Sequence, residues 1–374
     1  MTSPAPATGT APLRWRDGLL PVVAGWVVAR VCVALGNLVA RGLLDVLDTP
    51  RDGHHLAEGL VTWDATYYRL LAEQWYTPLQ EDAARFFPLY PGLARVVSPV
   101  LGGREDWALV VITNLAALAG ALVLWRLVAE VLGDRRVAER AAWMVAVFPG
   151  AFVLAWAYSE GLALLFVAAT LLALHRRAFA LAGALGLLCA VLRPVGGLVL
   201  VPILVELYRA RPRPPWWSAL AAAGGPIAGL GIAMLWIERS TGDLWLPVRI
   251  QGDIRGGFQD PVTRVLEPVG EVLRGNFRDV YNLGVMVLLV LLAVVAVRRR
   301  QPWSWLAYGG VSLLVLLSSQ VTDSIGRYAL VVVPFVVALA QWAERRWQQV
   351  AVGVLGCAGL VWMSSEAWLG RLVP

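Results

Sequence analysis

One acidic residue and two arginines carry the chemistry that this sequence suggests. Asp64 lies near the start of the stretch TWDATYYRLLAEQWY, and Arg193 and Arg327 lie at the ends of apolar segments. A positioned carboxylate can take a proton from a hydroxyl group, and a guanidinium group presents a fork of donors that matches phosphate oxygens. These residue types predict a site where a hydroxyl meets a phosphate-bearing lipid. The alternatives are a helix cap for Asp64 and salt bridges, to Glu160 or to acids of the long loops, for the arginines.

The composition is typical of a polytopic membrane protein. Of the 374 residues, 58% are hydrophobic and only 16% are charged, and the mean hydropathy is +0.64. All 32 basic side chains are arginine, so the net charge of +6 reflects a residue bias and indicates no nucleic acid partner. The cysteines and histidines show no disulfide framework and no metal-ligand spacing, so we expect neither a metal ion nor another cofactor. The sequence also contains no P-loop, HExxH or GxSxG motif.

Apolar segments predict about eleven membrane-spanning helices. We expect residues 1–18 to be a disordered cytoplasmic N-terminus and residues 19–374 to form one all-α transmembrane domain. The predicted spans are residues 19–44, 107–131, 138–157, 161–174, 178–192, 195–208, 216–237, 281–297, 303–317, 328–342 and 350–363.

The distribution of charge predicts how these spans are oriented. Fifteen arginines and four acids occupy alternate connections, at residues 14–17, 134–140, 176–177, 209–213, 298–300 and 344–346. The two long intervals, residues 45–106 and 238–279, instead contain more acids than arginines. Arginine-rich connections remain on the cytoplasmic side of a membrane. The pattern therefore predicts a multi-pass protein of the cell membrane, with a cytoplasmic N-terminus and with Asp64 on the extracytoplasmic side.

Both long intervals contain stretches that are typical of interfacial helices. On a helix, one apolar face would hold Trp63, Tyr67, Leu70, Leu71 and Trp75. Residues 260–280 also show apolar helical spacing, and Pro268 interrupts it, so we expect one kinked helix or two short ones. Loops 45–106 and 238–280 would together form an extracytoplasmic cap, with the catalytic residue in the first.

Five stretches share a pattern with a known family: WDATYYRLLAEQWY (63–76), FFPLYPGLARVVSPV (86–100), FPGAFVLAWAYSEGL (148–162), LRPVG (192–196) and the run that ends at Arg327–Tyr328. They resemble the PIG-V-type mannosyltransferases, which belong to the GT-C fold of polytopic glycosyltransferases. These stretches occur in the same order as in the family, the similarity extends over most of the chain, and the composition favours a bacterial member. The sequence departs from the family pattern at Tyr67, Trp75 and Leu192, where His or Trp, Gly and Thr are common.

The resemblance implies a membrane enzyme that transfers mannose from a polyprenyl- or dolichyl-phosphate-mannose donor, on the side away from the cytoplasm. It also implies an essential acidic residue in the first outer loop, which falls on Asp64. Asp64 would be the general base for an acceptor hydroxyl, with inversion at the anomeric carbon. Arg193 and Arg327 would bind the donor phosphate as it leaves. The acceptor would be lipid-linked or a glycan, and membrane lipids would surround the protein.

Other residues are candidates for binding substrate. Trp63 and Arg85 neighbour Asp64, and the trio 158–160 either holds sugar hydroxyls or forms a structural helix end. Residues 86–91 either shape a groove for a prenyl chain or kink a re-entrant helix. The full set of candidate substrate-binding residues is Trp63, Tyr67, Tyr68, Arg85, Tyr90, Tyr158, Ser159, Glu160 and Tyr328.

Two other functional classes remain open, and so does the role of one arginine. A lipid or glycolipid transporter or flippase would also be polytopic, although such proteins often contain internal repeats, and none is evident in this sequence. A non-catalytic subunit of a glycosylation complex would tolerate loss of the Asp64 carboxylate. Arg30, in the middle of the first span, either pairs internally or reaches a lipid phosphate.

Overall fold

The computed structural model is built from α-helices. It describes residues 13–47, 53–76, 81–274, 280–321 and 323–374. In chain order the helices are α1 (Leu19–Leu47), α2 (His54–Glu58), α3 (Asp64–Gln74), α4 (Leu89–Val97), α5 (Glu105–Leu132), α6 (Arg135–Met144), α7 (Glu160–His175), α8 (Phe179–Leu192), α9 (Leu200–Arg209), α10 (Trp216–Thr241), α11 (Leu246–Arg255), α12 (Pro261–Leu273), α13 (Val280–Arg298), α14 (Trp303–Leu317), α15 (Ile325–Leu330), α16 (Val333–Trp342) and α17 (Arg346–Trp368). Within those ranges, β pairing is limited to one antiparallel bridge between Phe258 and Ser319. The prediction of an all-α fold is confirmed.

Helices suited to a membrane make up most of the bundle. Five of them, α1, α5, α10, α13 and α17, are long and apolar enough to cross a bilayer, judged by length and composition. Shorter apolar helices include α7, α8, α14 and α16. Helix α8 has 14 residues and therefore rises about 21 Å, less than the hydrocarbon thickness of about 30 Å. The structure thus supports the prediction of a multi-pass membrane protein, and the count of about eleven spans stays a prediction.

Small residues allow the central helices to touch backbone to backbone. A Cβ atom at Gly183 of α8 would lie 2.1 Å from the carbonyl oxygen of Ala221 in α10. Likewise, a Cβ atom at Gly161 of α7 would lie 2.4 Å from the carbonyl oxygen of Thr113 in α5. Packing of this kind is common between membrane helices, where van der Waals contact replaces the hydrophobic effect as the main attraction. It fixes the start of α7, which carries Glu160.

The predicted span 138–157 is not one continuous helix. Helix α6 ends at Met144, and two short 3₁₀ turns, Val145–Val147 and Ala151–Leu154, continue the chain. Pro149 has no N–H group to donate, and Gly150 adopts a φ of +83°, a conformation that glycine accepts without strain. Since a Cβ atom at Gly150 would lie 2.6 Å from the backbone nitrogen of Arg327, the break also makes room for α15.

Short helices cover one end of the bundle. Helix α3 buries Ala65, Tyr68, Leu71 and Ala72, so the face that packs on protein shares only Leu71 with the predicted apolar face. Helix α12 runs without interruption through Pro268, and Asp260 caps it by accepting a hydrogen bond from the Thr263 N–H group at 2.8 Å. The predicted continuation of this helix over residues 275–279 lies outside the described residues, as do residues 1–12 of the predicted disordered N-terminus.

Candidate active site

A cavity of about 530 Å³ lies under the short helices. Its lining comes from seven parts of the chain: the start of α3, residues 85–87 before α4, the start of α7, the junction after α8, the end of α11, the segment from the end of α14 into α15, and the last residues of the chain. The predicted site residues that line it are Trp63, Asp64, Tyr68, Arg85, Tyr158, Glu160, Arg193, Arg327 and Tyr328. The fold therefore brings the predicted base and both predicted phosphate-binding arginines into one space.

Asp64 is held at the wall of this cavity by the residue before it. The N-cap of α3 is Trp63, whose φ of +58° is unusual for a residue with a side chain. Two contacts hold Trp63 in place: its indole N–H group donates to the carbonyl oxygen of Ala367 at 2.9 Å, and its ring stacks on His55 at 4.0 Å. Because Trp63 occupies the N-cap position, the Asp64 side chain does not cap α3. It contacts two arginine partners instead.

Those partners are two guanidinium groups. Asp64 Oδ2 accepts a hydrogen bond from Arg327 Nη1 at 2.7 Å, and Asp64 Oδ1 lies 3.4 Å from Arg85 Nη2. The side chain of Asp64 is 23% exposed, so the carboxylate still faces the cavity. A carboxylate offers about four lone-pair positions, and the arginines engage one on each oxygen. Further positions can therefore accept a proton or a hydroxyl group from the cavity.

Glu160 forms the second acidic centre, and it is almost completely buried, at 1% exposure. Its Oε1 atom lies 3.1 Å from Arg193 Nη1 and 3.3 Å from Arg327 Nε. These are ion-pair distances, although the groups are not aligned as hydrogen bonds. The two arginines therefore form the salt bridges to Glu160 that were one of the predicted alternatives, and they also line the cavity. A single glutamate oxygen links both.

Aromatic rings enclose the arginines. The Arg327 guanidinium lies over the rings of Tyr158, at 5.1 Å, and Tyr328, at 4.8 Å, while Arg193 lies over Tyr328 at 5.1 Å. Arg85 lies over Phe86 at 4.7 Å. Rings of this kind attract cations through their electron-rich faces and exclude water, which strengthens charge interactions in the cavity.

Three of the candidate substrate-binding residues lie behind the cavity wall. Tyr67 stacks against Phe86 at 5.2 Å. Tyr90 donates its hydroxyl proton to the carbonyl oxygen of Leu109 at 2.9 Å. Ser159 is fully buried and shares a hydrogen bond of 2.9 Å with the hydroxyl group of Tyr68. Burial raises the pKa of the Tyr68 phenol above its ordinary value, so this hydroxyl remains protonated and available for that bond.

Several lining residues were not predicted from the sequence. They come from the second outer loop and from the segment after α14: Gln251, Ile254, Gly256, Gly257, Phe258, Ser318, Ser319, Val321 and Ser324. The adjacent glycines at 256 and 257, inside the predicted cap, were a signal of close backbone approach, since Gly256 has a φ of +70° and packs on Gln320. Nothing in the local sequence identified the serines as cavity residues.

The structure decides the role of Arg30. Its Nε and Nη2 atoms donate to Asn114 Oδ1 at 2.9 and 2.8 Å, and Nη2 also donates to the carbonyl oxygen of Leu154 at 2.7 Å. Its guanidinium lies over the Trp26 ring at 4.3 Å. Arg30 therefore pairs internally and ties α1 to α5 and to the broken segment before α7.

The site holds acidic and basic groups in a nearly balanced set. Three arginines and two carboxylates meet in ion pairs, and a further acid, Asp323, lies exposed at the rim. Among the described residues, no three His, Cys, Asp or Glu side chains are grouped as metal ligands would be. An arrangement of this kind can bind an anion beside a carboxylate that accepts a proton.

Comparisons with known proteins give few matches. No protein-family model matches the sequence, and no curated protein matches it. Three solved structures to which the chain is similar are of the oligosaccharyltransferase from Archaeoglobus fulgidus, AglB. The complex with Zn and sulfate is 13% identical, with 91% of this chain and 53% of that chain covered and a TM-score of 0.45. The form tethered to an acceptor peptide containing the NVT sequon is 11% identical, with coverage of 92% and 56% and a TM-score of 0.47.

The third structure is the AglB complex with an inhibitory peptide and a dolichol-phosphate. It is 13% identical, with coverage of 92% and 56% and a TM-score of 0.44. This chain thus spans little more than half the length of the structures it matches. Since these TM-scores lie below 0.5, the likeness decides neither the GT-C assignment nor the function.

Proposed function

We propose that this chain is a membrane glycosyltransferase of the GT-C type that uses a lipid-phosphate-linked sugar. The donor is polyprenyl- or dolichyl-phosphate-mannose, and the acceptor is a hydroxyl group of a glycolipid or glycan outside the cytoplasm. The observation that carries the proposal is the Asp64 carboxylate, which faces a cavity and has Arg327 at 2.7 Å and Arg85 at 3.4 Å. The resemblance to PIG-V-type mannosyltransferases supplies the choice of mannose.

The charge of the site supports a donor with a single phosphate. The ion pairs themselves contain three arginines and two carboxylates, which leaves one positive charge in excess, while Asp323 lies exposed at the rim and outside these pairs. A sugar joined to a lipid through one phosphate is a phosphodiester and carries one negative charge. Binding of such a donor therefore balances the enclosed charges, and buried charges that are not balanced are costly. A diphosphate-linked donor would bring at least one more negative charge than these groups offset.

The reaction follows from these positions. The acceptor hydroxyl gives its proton to Asp64 while its oxygen forms a bond to the anomeric carbon of the sugar. The bond between that carbon and the phosphate oxygen breaks, and its electron pair stays on the phosphate. The leaving phosphate needs stabilisation of charge more than a proton, and the arginines of the cavity provide positive charge for it. Attack from the side opposite the phosphate inverts the anomeric configuration.

The position of the cavity supports an extracytoplasmic reaction. Most of its lining residues come from connections that the charge pattern predicts on one side of the membrane, and none comes from the six arginine-rich connections. The positive-inside rule then puts the N-terminus in the cytoplasm and the cavity on the opposite side. A lipid-linked donor can reach this position from the membrane, whereas a soluble nucleotide-sugar in the cytoplasm cannot.

The test is transfer of labelled mannose from polyprenyl-phosphate-mannose to extracted lipid acceptors by the purified protein. We expect Asp64→Asn to lower the transfer rate at least about 100-fold, because the general base is lost. The matched control is Asp106→Asn, which removes an acid of the same outer interval that pairs with Arg104 at 3.0 Å outside the cavity. This variant should transfer at the wild-type rate. Thermal unfolding of all three proteins verifies that each is folded.

Three results would contradict the proposal. Equal transfer by wild type and a folded Asp64→Asn variant would mean that Asp64 is a structural partner of the arginines. Movement of the lipid phosphate across the membrane without sugar transfer, in the Asp64→Asn variant as in wild type, would indicate a lipid transporter. Absence of donor use by the folded wild type in the presence of lipid extracts would reject this donor class.

A further inference from the structure

Arg193 and Arg327 both line the cavity, but their guanidinium groups are engaged differently. Every nitrogen of Arg327 has a polar partner: Nη1 donates to Asp64 Oδ2 at 2.7 Å, Nη2 donates to the Tyr328 hydroxyl at 3.0 Å, and Nε lies 3.3 Å from Glu160 Oε1. The side chain is only 5% exposed. Both terminal nitrogens of Arg327 therefore donate to protein, while Nε faces Glu160 at ion-pair distance without a hydrogen bond.

Arg193 has guanidinium N–H groups that make no hydrogen bond to the described residues. Its one polar partner within the described chain is Glu160, at 3.1 Å from Nη1. Arg193 also lines a second, small cavity of about 40 Å³, whose walls are mostly apolar and include Val195, Leu316 and Val331. As a residue, Arg193 thus lines both the charged cavity and the apolar one. A group with a charged head and an apolar chain would contact it at this boundary.

Glu160 contacts the two arginines at different nitrogens. One oxygen of a carboxylate with 1% exposure contacts both guanidiniums, at the first residue of α7. Two arginines so close repel each other, and a shared anion offsets the repulsion. Because Glu160 approaches Arg327 at Nε, the two terminal nitrogens of Arg327 are directed to Asp64 and Tyr328. On Arg193 it contacts a terminal nitrogen, and the remaining donors have no hydrogen-bond partner among the described residues.

We propose that Glu160 is a positioning residue that gives the two arginines separate tasks. It fixes Arg327 as the partner that orients Asp64, and it leaves Arg193 as the arginine that binds the phosphate of the lipid. Arg327 is then a positioning residue as well, and Arg193 is the anion ligand. The assignment of kinetic roles rests on the proposed function, whereas the assignment of the phosphate to Arg193 does not.

The first experiment measures binding alone. The probe is labelled farnesyl phosphate, a short prenyl phosphate, and the protein is the full chain in lipid nanodiscs, with farnesol as the uncharged control. We expect Arg193→Gln to weaken binding of the probe about tenfold or more, since a charge-assisted contact to phosphate is lost. Arg327→Gln should change the binding less than about threefold. Equal loss in the two variants, or greater loss in Arg327→Gln, would overturn the proposal.

The second experiment separates binding from turnover in the transfer assay. Arg193→Gln should raise KM for the donor, and Arg327→Gln should lower kcat about 100-fold at nearly constant KM, because it disturbs only the orientation of the base. Glu160→Gln should show both defects. In the double variant Glu160→Gln/Arg327→Gln, kcat should fall no further than in Arg327→Gln alone, since the two residues act through one contact. Additive losses would contradict the shared role.

The outcomes distinguish this inference from the proposed function. If the wild type binds farnesyl phosphate through Arg193 and transfers no sugar, the proposed function fails and the assignment of the anion ligand stands. If the wild type transfers sugar and the arginine variants show the reverse pattern, the division of tasks fails and the function stands. The arginine variants keep the proposal testable even if Glu160→Gln does not fold.

Discussion

The two ends of the helical bundle use arginine in opposite ways. At the cavity end, Arg327 is 5% exposed and draws its carboxylate partners from α3 and α7, far away in sequence. At the arginine-rich end, Arg135 is 53% exposed and pairs with Glu139 one turn along the same helix, at 3.0 Å. Arg299 there pairs with Glu344 in another exposed contact. The residue type is the same, and its surroundings differ completely.

This difference separates charge that serves topology from charge that serves a site. Exposed ion pairs contribute little to stability, about 0–1 kcal/mol, so the arginines of the first kind are free to act as topological signals. Buried charges lose their hydration, and a paired set often stabilises a protein no more than apolar residues would. The three arginines and two carboxylates around the cavity are therefore poor candidates for stabilising the fold, and clusters of this kind are typical of sites that bind charged ligands.

The largest effect on stability is expected when two glycines, one at each end of the bundle, are replaced by alanine. Gly150→Ala should destabilise the protein by about 2–5 kcal/mol, because it combines a disfavoured backbone conformation with a Cβ atom 2.6 Å from the Arg327 nitrogen. Gly133→Ala, at the arginine-rich end, has a similar φ of +65° and open space around it, so about 1 kcal/mol is expected. Unfolding in mixed detergent micelles measures both. Equal losses would mean that the close approach at Gly150 is not tight.

An intermediate effect is expected at Arg30. Arg30→Met leaves Asn114 Oδ1 and the Leu154 carbonyl group without their donor and should cost about 2 kcal/mol. The control is Arg41→Met on the same helix, where an exposed arginine donates to Asn37 Oδ1 at 2.9 Å, and a change within about 0.5 kcal/mol is expected. Transfer by the folded Arg30→Met protein should match wild type. A specific loss of transfer would instead put Arg30 in contact with the lipid substrate.

The smallest effect is expected for the exposed pair at the arginine-rich end. A double-mutant cycle with Arg135→Gln and Glu139→Gln should give a coupling energy of at most about 0.5 kcal/mol, and raised salt should reduce it further. The arginine precedes the glutamate along the helix, which is the weaker orientation. The unfolding free energies of the four proteins provide the measurement. A coupling energy above about 1.5 kcal/mol would contradict the view that ion pairs at the arginine-rich end contribute little to stability.

The all-α fold, and the set of connections that lie together on one side, follow from the sequence alone. Long apolar runs specify helices because the backbone must satisfy its own hydrogen bonds in a membrane, and this information is local. Alternation of the arginine-rich connections assigned residues 45–106, 193–194 and 318–327 to one side, and the cavity is lined from those connections. Asp64 was identified because a helix start beside Trp63 is readable from a short stretch of residues.

The tertiary structure alone decided which charges meet. Asp64 and Arg327 are 263 positions apart in the chain, and no periodicity connects them. The inward face of α3, the break at Pro149–Gly150 and the internal partners of Arg30 depend on neighbours from other helices, as does the sharing of Glu160 by two arginines. The reason is physical: hydropathy depends on the residue itself, whereas the partner of a buried charge is set by which backbones can approach closely enough to enclose it.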